Sequence, residues 1–395
     1  MAVDANKSSV TIALLWHTFG HGNLGVDALA RANASLVRQA AAAQNLSVRF
    51  VSLGTGQNYD AEDLPPDVTI GPRPRIKPLL YGKSDFLKAV RRSDLVLDIG
   101  EGDSFTDIYG LRRYGFLLGT KIAVVLAGRP LVIAPQTIGP FDNPVRRWLA
   151  VAALRRARAV YARDGLSMQF LKDNGVDGET DEFIDVAFAL PFSPTPKTTD
   201  RVRVGINVSG LLYNGGYSGR NEFGLQLDYR KLTHDLIENL MSRDGVEVHL
   251  VAHVSGSGGQ DDDYPVLLSL KQRYPAIVAA PIFATSVWAK SYLAGLDYVV
   301  AGRMHACIGA FSAGVPVMPI AYSRKFNGLF ATLGYPHLVD AKTTGNDEAL
   351  ARILDGFARR QDLAVDVAHG CEEATRRLSQ YRETLARLLA EVNHG

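Results

Sequence analysis

Short apolar runs, each ending at a glycine, a proline or a charged residue and each followed by a segment with helical spacing, recur along this chain. An apolar run of about four to eight residues without alternation is typical of a strand buried on both faces. Strands of this kind that alternate with helices form a parallel α/β sheet with right-handed crossovers. In the first half the pattern predicts strands at residues 10–16, 48–53, 94–99, 130–134 and 159–162 and helices at residues 24–43 and 146–157.

The pattern breaks at residues 191–199, where prolines and threonines are typical of a linker between domains. A chain of 395 residues is also too long for one ordinary core. We therefore predict two Rossmann-like α/β domains, at residues 1–195 and 200–345, followed by C-terminal helices at 346–395 that pack on the domains. The second half is predicted to hold strands at residues 203–208, 246–252, 298–301 and 315–321 and helices at residues 229–242, 285–294 and 306–313.

Composition and charge exclude several classes of protein. The net charge of +2 gives no basic signature for nucleic acid, and two cysteines are too few for a disulfide framework or a zinc site. A reducing, cytoplasmic location fits this cysteine usage. The first apolar run, residues 10–16, is too short to span a membrane, so we predict no transmembrane segment and at most a peripheral membrane association. We also predict no resident metal ion, and the oligomeric state stays open.

The main candidate site follows the apolar run at residues 298–301. Gly302 ends this run, Arg303 and His305 come next, and a helix of small residues begins. Working groups of a parallel sheet lie at the carboxyl ends of its strands. An arginine can clamp a carboxylate or phosphate with its planar fork of donors, and a histidine can transfer a proton near neutral pH. The pattern suits chemistry on a small dianionic substrate. The alternative is that Arg303 pairs with a buried acid and His305 caps the helix.

A glycine-rich loop follows the first predicted strand. Residues 20–25 have the spacing G-x-G-x-x-G and open a helix, where backbone N–H groups favour anions. The second strand ends without the acidic residue that a dinucleotide site needs, which disfavours NAD. We therefore predict that the loop binds another anion or a substrate hydroxyl, and the alternative is a plain tight turn. The predicted substrate-binding residues here are Gly22, Asn23, Gly25 and Asp27.

Polar groups follow other strands as well. Glu101 and Asp103 could contact sugar hydroxyls or act as bases, and the alternative is helix capping by Asp103 or Ser104. Arg163 is predicted to be a second cation of the site, and the alternative is a surface arginine beside a helix cap at Asp164. The acidic run at residues 261–263 is interpreted as a solvated helix start, and the alternative is a binding element. The predicted binding residues at these and later strand ends are Gly102, Asp103, Ser104, Gln136, His253, Tyr322 and Lys325.

Taken in order, these segments resemble the polysaccharide pyruvyl transferase family. The family often has Gly-Asp where this chain has Gly25-Val26-Asp27, and it often has a run of glycines near residue 100. The matching pieces are residues 22–29, 100–104, 136–140, 162–164 with Ser167, 185–188, His253, 302–306, 314–316 and 322–325.

The resemblance implies two Rossmann-like domains of the glycosyltransferase-B type facing across a cleft, with the acceptor on the N-terminal side and the donor on the C-terminal side. It implies phosphoenolpyruvate as the donor substrate and no separate cofactor. The product would be a pyruvate ketal on a sugar diol of a cell-surface polysaccharide or its precursor, free or lipid-linked, with phosphate released. By the family's pattern, Arg163, Arg303 and His305 map to the donor site as catalytic residues.

We expect His305 to protonate the methylene carbon of the donor, and Asp103 or Glu101 to serve as the base. Two alternatives stay open at this point. One is a glycosyltransferase of the same fold type that uses a nucleotide sugar, and the other is a non-catalytic binding protein.

Overall fold

The computed structural model describes residues 9–54, 63–75, 84–102, 105–108, 110–196 and 200–394. The predicted site residues Asp103 and Ser104 and the last part of the predicted linker lie outside these ranges. The chain divides into two compact units. The first comprises Met1–His21, Leu29–Leu190 and Thr375–Gly395, and the second comprises Gly22–Ala28 and Pro191–Ala374.

The first unit is built on a parallel sheet of seven strands in the order β3-β2-β1-β4-β5-β6-β7. Every residue of the fourth, fifth and sixth strands is buried, as expected for strands that are covered on both faces. The strands are β1 (Ser9–Leu15), β2 (Ser47–Leu53), β3 (Val68–Ile70), β4 (Leu95–Asp98), β5 (Leu131–Gln136), β6 (Ala159–Ala162) and β7 (Glu179–Glu182). The helices are α1 (Leu24–Ala43), α2 (Asp85–Arg91), α3 (Leu111–Leu126), α4 (Pro144–Leu154) and α5 (Gly165–Asp173), of which α1 starts in the second unit.

The second unit repeats this plan with six parallel strands in the order β10-β9-β8-β11-β12-β13. The strands are β8 (Val202–Asn207), β9 (Val246–Leu250), β10 (Val278–Ala279), β11 (Tyr298–Ala301), β12 (Val317–Ala321) and β13 (Val339–Asp340). The helices are α6 (Gly210–Tyr213), α7 (Tyr229–Met241), α8 (Asp263–Arg273), α9 (Ser286–Leu293), α10 (Met304–Phe311), α11 (Arg324–Thr332), α12 (Asn346–Ala358) and α13 (Arg360–His394), of which α13 ends in the first unit.

Each sheet has a point at which the strand order reverses. In the first unit β1 lies between β2 and β4, and in the second unit β8 lies between β9 and β11. The crossover connections diverge at such a point and leave a crevice outside the carboxyl ends of the two strands, where α/β proteins bind their ligands. In the second unit, a ligand site is therefore expected outside the carboxyl ends of β8 and β11.

The predicted fold class of two parallel, Rossmann-like α/β halves is confirmed. The helix at residues 24–43 and the strands at 159–162 and 298–301 have their predicted bounds. The helix predicted at 306–313 begins two residues earlier, because Met304 and His305 form its first turn. None of the described helices is both long and apolar enough to cross a bilayer.

The division into units does not follow the predicted sequence ranges. The segment Gly22–Ala28 lies far from residue 200 in sequence but groups with the second unit. Backbone contacts explain this grouping, because Leu24 donates its N–H to the carbonyl of His253 at 3.0 Å and Asn23 forms a β-bridge with Val254. The predicted C-terminal helices are also divided, since α13 contributes residues to both units.

A buried polar chain lies beneath the carboxyl end of β1. The imidazole of His17 donates from Nδ1 to the carbonyl of Leu15 at 2.9 Å, and its Nε2 accepts from the amide of Asn33 at 2.9 Å. The Asn33 oxygen in turn accepts from the hydroxyl of Tyr381 at 3.1 Å. Burial lowers the pKa of His17 to about 4, against the raising effect of its bond to Leu15, so the ring is neutral at physiological pH.

This depressed pKa predicts a loss of stability in mild acid. The unfolded His17 takes up a proton below about pH 6.5 and the folded one does not until about pH 4, so the free energy of unfolding falls as pH falls through this window. One such group contributes a slope of about 1.4 kcal/mol per pH unit. We expect His17→Gln to remove this share of the slope in urea unfolding curves recorded at several pH values. If the free energy of unfolding of His17→Gln depends on pH as steeply as that of the parent, then the pKa of His17 is not depressed in the folded chain.

Candidate functional site

The carboxyl ends of β8, β9 and β11 are tied together by the side chain of Asn207, the last residue of β8. Its amide nitrogen donates to the carbonyl of Val251 at 2.9 Å, and its amide oxygen accepts from the backbone N–H of Arg303 at 3.0 Å. Three strand ends are thus held in a fixed relation at the point where the strand order reverses. The backbone position of Arg303 follows from this bond.

A completely buried carboxylate, Asp263, lies beside this junction. One of its oxygens accepts from the backbone N–H of Gly210 at 2.8 Å. The other accepts from the backbone N–H groups of His253 and Val254, both at 3.0 Å. The interpretation of residues 261–263 as a solvated helix start is therefore wrong for Asp263, because the start of α8 packs against the loops that follow β8 and β9.

The guanidinium of Arg303 is the charged partner of Asp263. Its Nε and Nη2 lie 3.1 and 2.7 Å from the same carboxylate oxygen, and Nη2 also donates to the carbonyl of Asp261. Burial works against the charge of Arg303, but the attraction of Asp263 outweighs it and raises the pKa of the guanidinium. The pairing with a buried acid that the sequence left open is thus present.

This pairing corrects the expected geometry of the arginine. The Nε–Nη2 edge, which would form the planar fork for a substrate, faces Asp263. Within the described ranges, none of the hydrogen bonds of Arg303 uses Nη1. The side chain is 11% exposed, so a ligand would meet a guanidinium that is already oriented and presents one terminal nitrogen.

Two histidines accompany Arg303. His253 is 4% exposed, and neither of its ring nitrogens has a hydrogen-bond partner among the residues that the structure describes. Burial, together with the smaller effect of positive charge on its neighbours His305 and Arg303, lowers the pKa of His253 to about 3. His253 is therefore a neutral ring with one donor and one acceptor beside His305, the second residue of α10.

Three backbone donors of the glycine-rich loop, those of Leu24, Gly25 and Val26, are used within the fold. The N–H of Leu24 donates to His253, and those of Gly25 and Val26 donate to the side chain and the carbonyl of Asn23, all at 3.0 Å. These bonds cap the start of α1 from within the second unit. The nearby carboxylate of Asp27 is buried and accepts from the N–H and the hydroxyl of Ser286, at 2.8 and 2.6 Å, at the start of α9. The loop thus helps to build the site without offering these donors to a ligand.

Gly25 has a steric role that the motif did not indicate. A Cβ atom at this position would lie 2.3 Å from Nδ1 and 2.7 Å from Cγ of His305, far inside van der Waals contact. The absence of a side chain at Gly25 therefore sets the orientation of the imidazole.

We expect Gly25→Ala to lower turnover about 10²-fold with little loss of stability. The new methyl group displaces the ring of His305, and a misplacement of about 1 Å can cost that factor, while alanine is itself the better helix former. Turnover and thermal unfolding measured together separate the two effects. Gly328→Ala is the matched control, because a Cβ at this helical glycine meets nothing within 4 Å. Unchanged turnover in Gly25→Ala would contradict this role.

The remaining predicted residues of the second unit follow β12. Tyr322 packs its ring on Phe223 at 5.1 Å between centroids, and its hydroxyl is close enough to Arg303 to affect the pKa of the guanidinium. Lys325 lies in the first turn of α11 and is half-buried. The starts of α10 and α11 carry no side-chain cap among the described residues, whereas α6, α7, α8 and α9 are each capped by a side chain. Two neighbouring helix starts therefore have no capping side chain at the positive end of their dipole.

In the first unit, Arg163 is committed to an internal ion pair. It is 5% exposed, its Nε donates to the hydroxyl of Thr137 at 2.8 Å, and its Nη1 lies 2.9 Å from the carboxylate of Asp185. The alternative of a surface arginine is wrong, although Asp164 does cap α5 by accepting from the N–H of Ser167. Arg163 and Arg303 lie in different units, so a site that they share stays a prediction.

The other predicted residues of the first unit lie where β4 and β5 end. Gln136 donates to the carbonyl of Asp98 at 3.0 Å, and its buried Oε1 has no hydrogen-bond partner within the described ranges. Gly102 ends a single 3-10 turn whose central residue, Glu101, has a positive φ of 57°. Glu101 lies 3.2 Å from Arg113, so its carboxylate is already paired.

Sequence reasoning missed a buried ion pair in this unit. The ammonium of Lys121 on α3 lies 2.9 Å from the carboxylate of Asp98, the last residue of β4, and both side chains are almost completely buried. Burial lowers the pKa of Lys121 in opposition to Asp98. The sequence signal is a lysine within the mainly apolar second half of α3. Among the described residues, no three His, Cys, Asp or Glu side chains are grouped so that they could hold a metal ion.

Comparison with known proteins adds a family and a fold. A family model described as Polysaccharide pyruvyl transferase matches residues 23–324. The amylovoran biosynthesis protein AmsJ of Erwinia amylovora is 20% identical over 311 residues, which cover 73% of this chain and 71% of AmsJ. The family match begins at Asn23, in the loop before α1, and ends at Arg324, the first residue of α11.

Solved structures are similar over nearly the whole chain. Anabaena Alr3699/HepE in complex with UDP-glucose has a TM-score of 0.57 at 15% identity and covers 97% of this chain and 100% of its own. Sucrose-phosphate synthase from Thermosynechococcus elongatus has a TM-score of 0.57 at 14% identity and covers 98% of each chain. At such identities the likeness shows the fold alone, and it confirms the predicted glycosyltransferase-B type.

Proposed function

The chain belongs to the polysaccharide pyruvyl transferase family, and from this membership we propose that it transfers pyruvate from phosphoenolpyruvate to a saccharide. The product is a ketal that bridges two hydroxyl groups of a polysaccharide or its precursor, and phosphate is released. The name of the similar protein AmsJ, which refers to amylovoran biosynthesis, supports a polysaccharide as the acceptor. The observation that carries the proposal is the group of Arg303, His253 and His305 where the strand order of the second sheet reverses.

The second unit offers several contacts for a small anion with two charged groups. Arg303 is fixed by Asp263 and retains Nη1 for a ligand. The starts of α10 and α11 follow neighbouring strands and lack a side-chain cap within the described residues. Removing a carboxylate and a phosphate from water is costly unless each meets paired donors. We assign one of these groups to Arg303 with the start of α10, and the other to the start of α11 with Lys325.

The reaction needs one proton donor and a route for the phosphate. A sugar hydroxyl attacks C2 of the enol ester while His305 protonates the C3 methylene, which gives a tetrahedral carbon bearing methyl, carboxylate, phosphate and the new ether oxygen. The second hydroxyl then displaces phosphate from the same carbon and closes the ketal. Both hydroxyl protons must leave, so one passes through the base to the imidazole of His305 and the other departs with phosphate. His253 remains neutral and orients His305 or the substrate by hydrogen bonding.

The first unit is proposed to take the acceptor at the ends of β4 and β5. Gln136 supports this assignment because its buried Oε1 has no hydrogen-bond partner in the described part of the chain and suits a sugar hydroxyl. Glu101 is a weaker candidate base than the sequence indicated, since its carboxylate is already paired with Arg113. Asp103 remains the other proposed base.

The test of this function is the release of phosphate from phosphoenolpyruvate in the presence of diol-bearing saccharides, both free and lipid-linked. We expect release that depends on the saccharide, together with a product that gains the mass of a pyruvate ketal. A nucleotide sugar is the alternative donor, which the fold of HepE brings into consideration. If the protein consumes UDP-glucose and does not consume phosphoenolpyruvate with any of the acceptors, the alternative replaces our proposal.

A further inference from the structure

An exposed apolar groove runs between α2 and α3 of the first unit, and none of the residues that line it is among those proposed for the reaction. Its volume is about 550 Å³. Two large side chains at opposite ends of α3 are largely open to solvent, Leu111 at 64% and Leu126 at 81% exposure. Since α3 has 16 residues, these leucines stand about 22 Å apart along the helix. The apolar lining includes Leu87, Leu111, Phe116, Ile122, Ala123 and Leu126, and we call it the α2–α3 groove.

The rim of the α2–α3 groove is basic. Arg91 and Arg112 line it, Arg92 follows Arg91 in the sequence, and Arg129 donates to the carbonyl of Arg91. Within the described ranges none of these four arginines has an ion-pair partner. The groove lining contains no acidic residue, and Asp85, the acid of α2, is paired with Lys88 at 2.7 Å. The surface therefore combines exposed leucines with arginines that form no ion pair among the described residues.

The exposed leucines and the arginines of the α2–α3 groove together indicate what kind of partner binds there. An exposed apolar groove that is rimmed by charged residues is typical of an interaction surface. Arginines that rim leucines match the boundary of an anionic bilayer, where headgroup phosphates meet the cations and the acyl region takes the apolar side chains. Helices α2 and α3 bond their backbone groups internally, so the surface offers no open strand edge to a protein partner. Charge complementarity thus favours an anionic lipid surface over another protein.

We propose that the α2–α3 groove docks this protein on the surface of an anionic phospholipid bilayer. Leu111 and Leu126 enter the headgroup boundary, and Arg91, Arg92, Arg112 and Arg129 contact lipid phosphates. Docking of this kind is peripheral, because none of the described helices can cross the bilayer. It does not depend on which donor or acceptor the enzyme uses.

The test is co-sedimentation of the full chain with vesicles. We expect binding to vesicles of phosphatidylcholine mixed with phosphatidylglycerol, little binding to phosphatidylcholine alone, and weaker binding as salt is added. The double variant Arg91→Gln with Arg112→Gln should lower the partition coefficient about 25-fold, at about fivefold for each arginine charge removed. Leu111→Gln with Leu126→Gln should lower it about tenfold or more.

Matched controls lie in the second unit. Arg220→Gln removes an exposed arginine, and Leu268→Gln removes a leucine that is 49% exposed, so both should leave vesicle binding unchanged. Equal binding to neutral and anionic vesicles, absence of binding, or equal losses in the groove variants and the controls would each overturn the proposal. It would also fail if the chain sediments as a dimer that the Leu126 variant dissociates, because the groove would then be an interface between two copies.

Discussion

Replacing Asp263 by asparagine is expected to lower the free energy of unfolding by about 3–5 kcal/mol. Its carboxylate is completely buried, accepts from three backbone N–H groups and neutralises Arg303. The variant leaves the guanidinium as a buried, unpaired charge and turns an amide NH₂ toward donors. Chemical denaturation of the purified variant measures this change in the free energy of unfolding. The variant should also lose binding of phosphoenolpyruvate.

The neighbouring acid provides the control. Asp261 is only half-buried, and its side chain accepts from Ser257 alone among the described residues. Asp261→Asn removes the same charge two residues away and should change the free energy of unfolding by less than about 1 kcal/mol. If the two variants lose similar stability, then the charge of the acidic run matters and the buried position of Asp263 does not.

His305→Ala should lower the turnover number by about 10²–10⁴-fold, the usual contribution of a general acid. The histidine lies in the first turn of α10, and alanine is a good helix former, so the fold should survive. The measurement is phosphate release from phosphoenolpyruvate at saturating acceptor. A matched thermal unfolding curve must show that the variant is folded.

The control for this variant is His369→Ala, which removes an exposed histidine of α13 and should keep parental turnover. A second comparison separates catalysis from positioning. His253→Ala should raise the KM for phosphoenolpyruvate more than it lowers kcat, because a neutral ring can orient the substrate without giving up a proton. If His305→Ala retains turnover within a few-fold of the parent, the proton comes from another group.

The strands could be predicted from sequence because their signal is local. The strands at Ala159–Ala162 and Tyr298–Ala301 are short apolar runs with charged or glycine neighbours, and parallel strands need nothing else to be recognised. The pattern did not predict α3, since Gly115 and Gly119 weaken its helical signal and Lys121 interrupts its apolar face. That lysine is buried only because Asp98 lies opposite, which no local pattern can indicate.

The site was predicted in part for the same reason. Arg303, His305 and His253 follow strand ends, and topology brings strand ends of one sheet to one edge. Asp263 is 40 residues from Arg303 in sequence, and an acidic run at a helix start is usually solvated, so its burial follows only from the packing of α8. The partner of Arg163 was hidden likewise, because Asp185 lies 22 residues away beyond another strand. The local patterns therefore did not predict the ion-pair partners of Arg303 and Arg163, because these partners are distant in sequence.

Titration calorimetry with phosphoenolpyruvate tests the central claim, which is that Arg303 and its neighbours bind the donor in the second unit. We expect one site per chain, and loss of binding in Arg303→Lys, which keeps a cation for Asp263 but lacks the planar guanidinium that presents Nη1. UDP-glucose titrated into the same protein should give no comparable heat. Binding of UDP-glucose instead, or binding of phosphoenolpyruvate that Arg303→Lys leaves intact, would contradict the account.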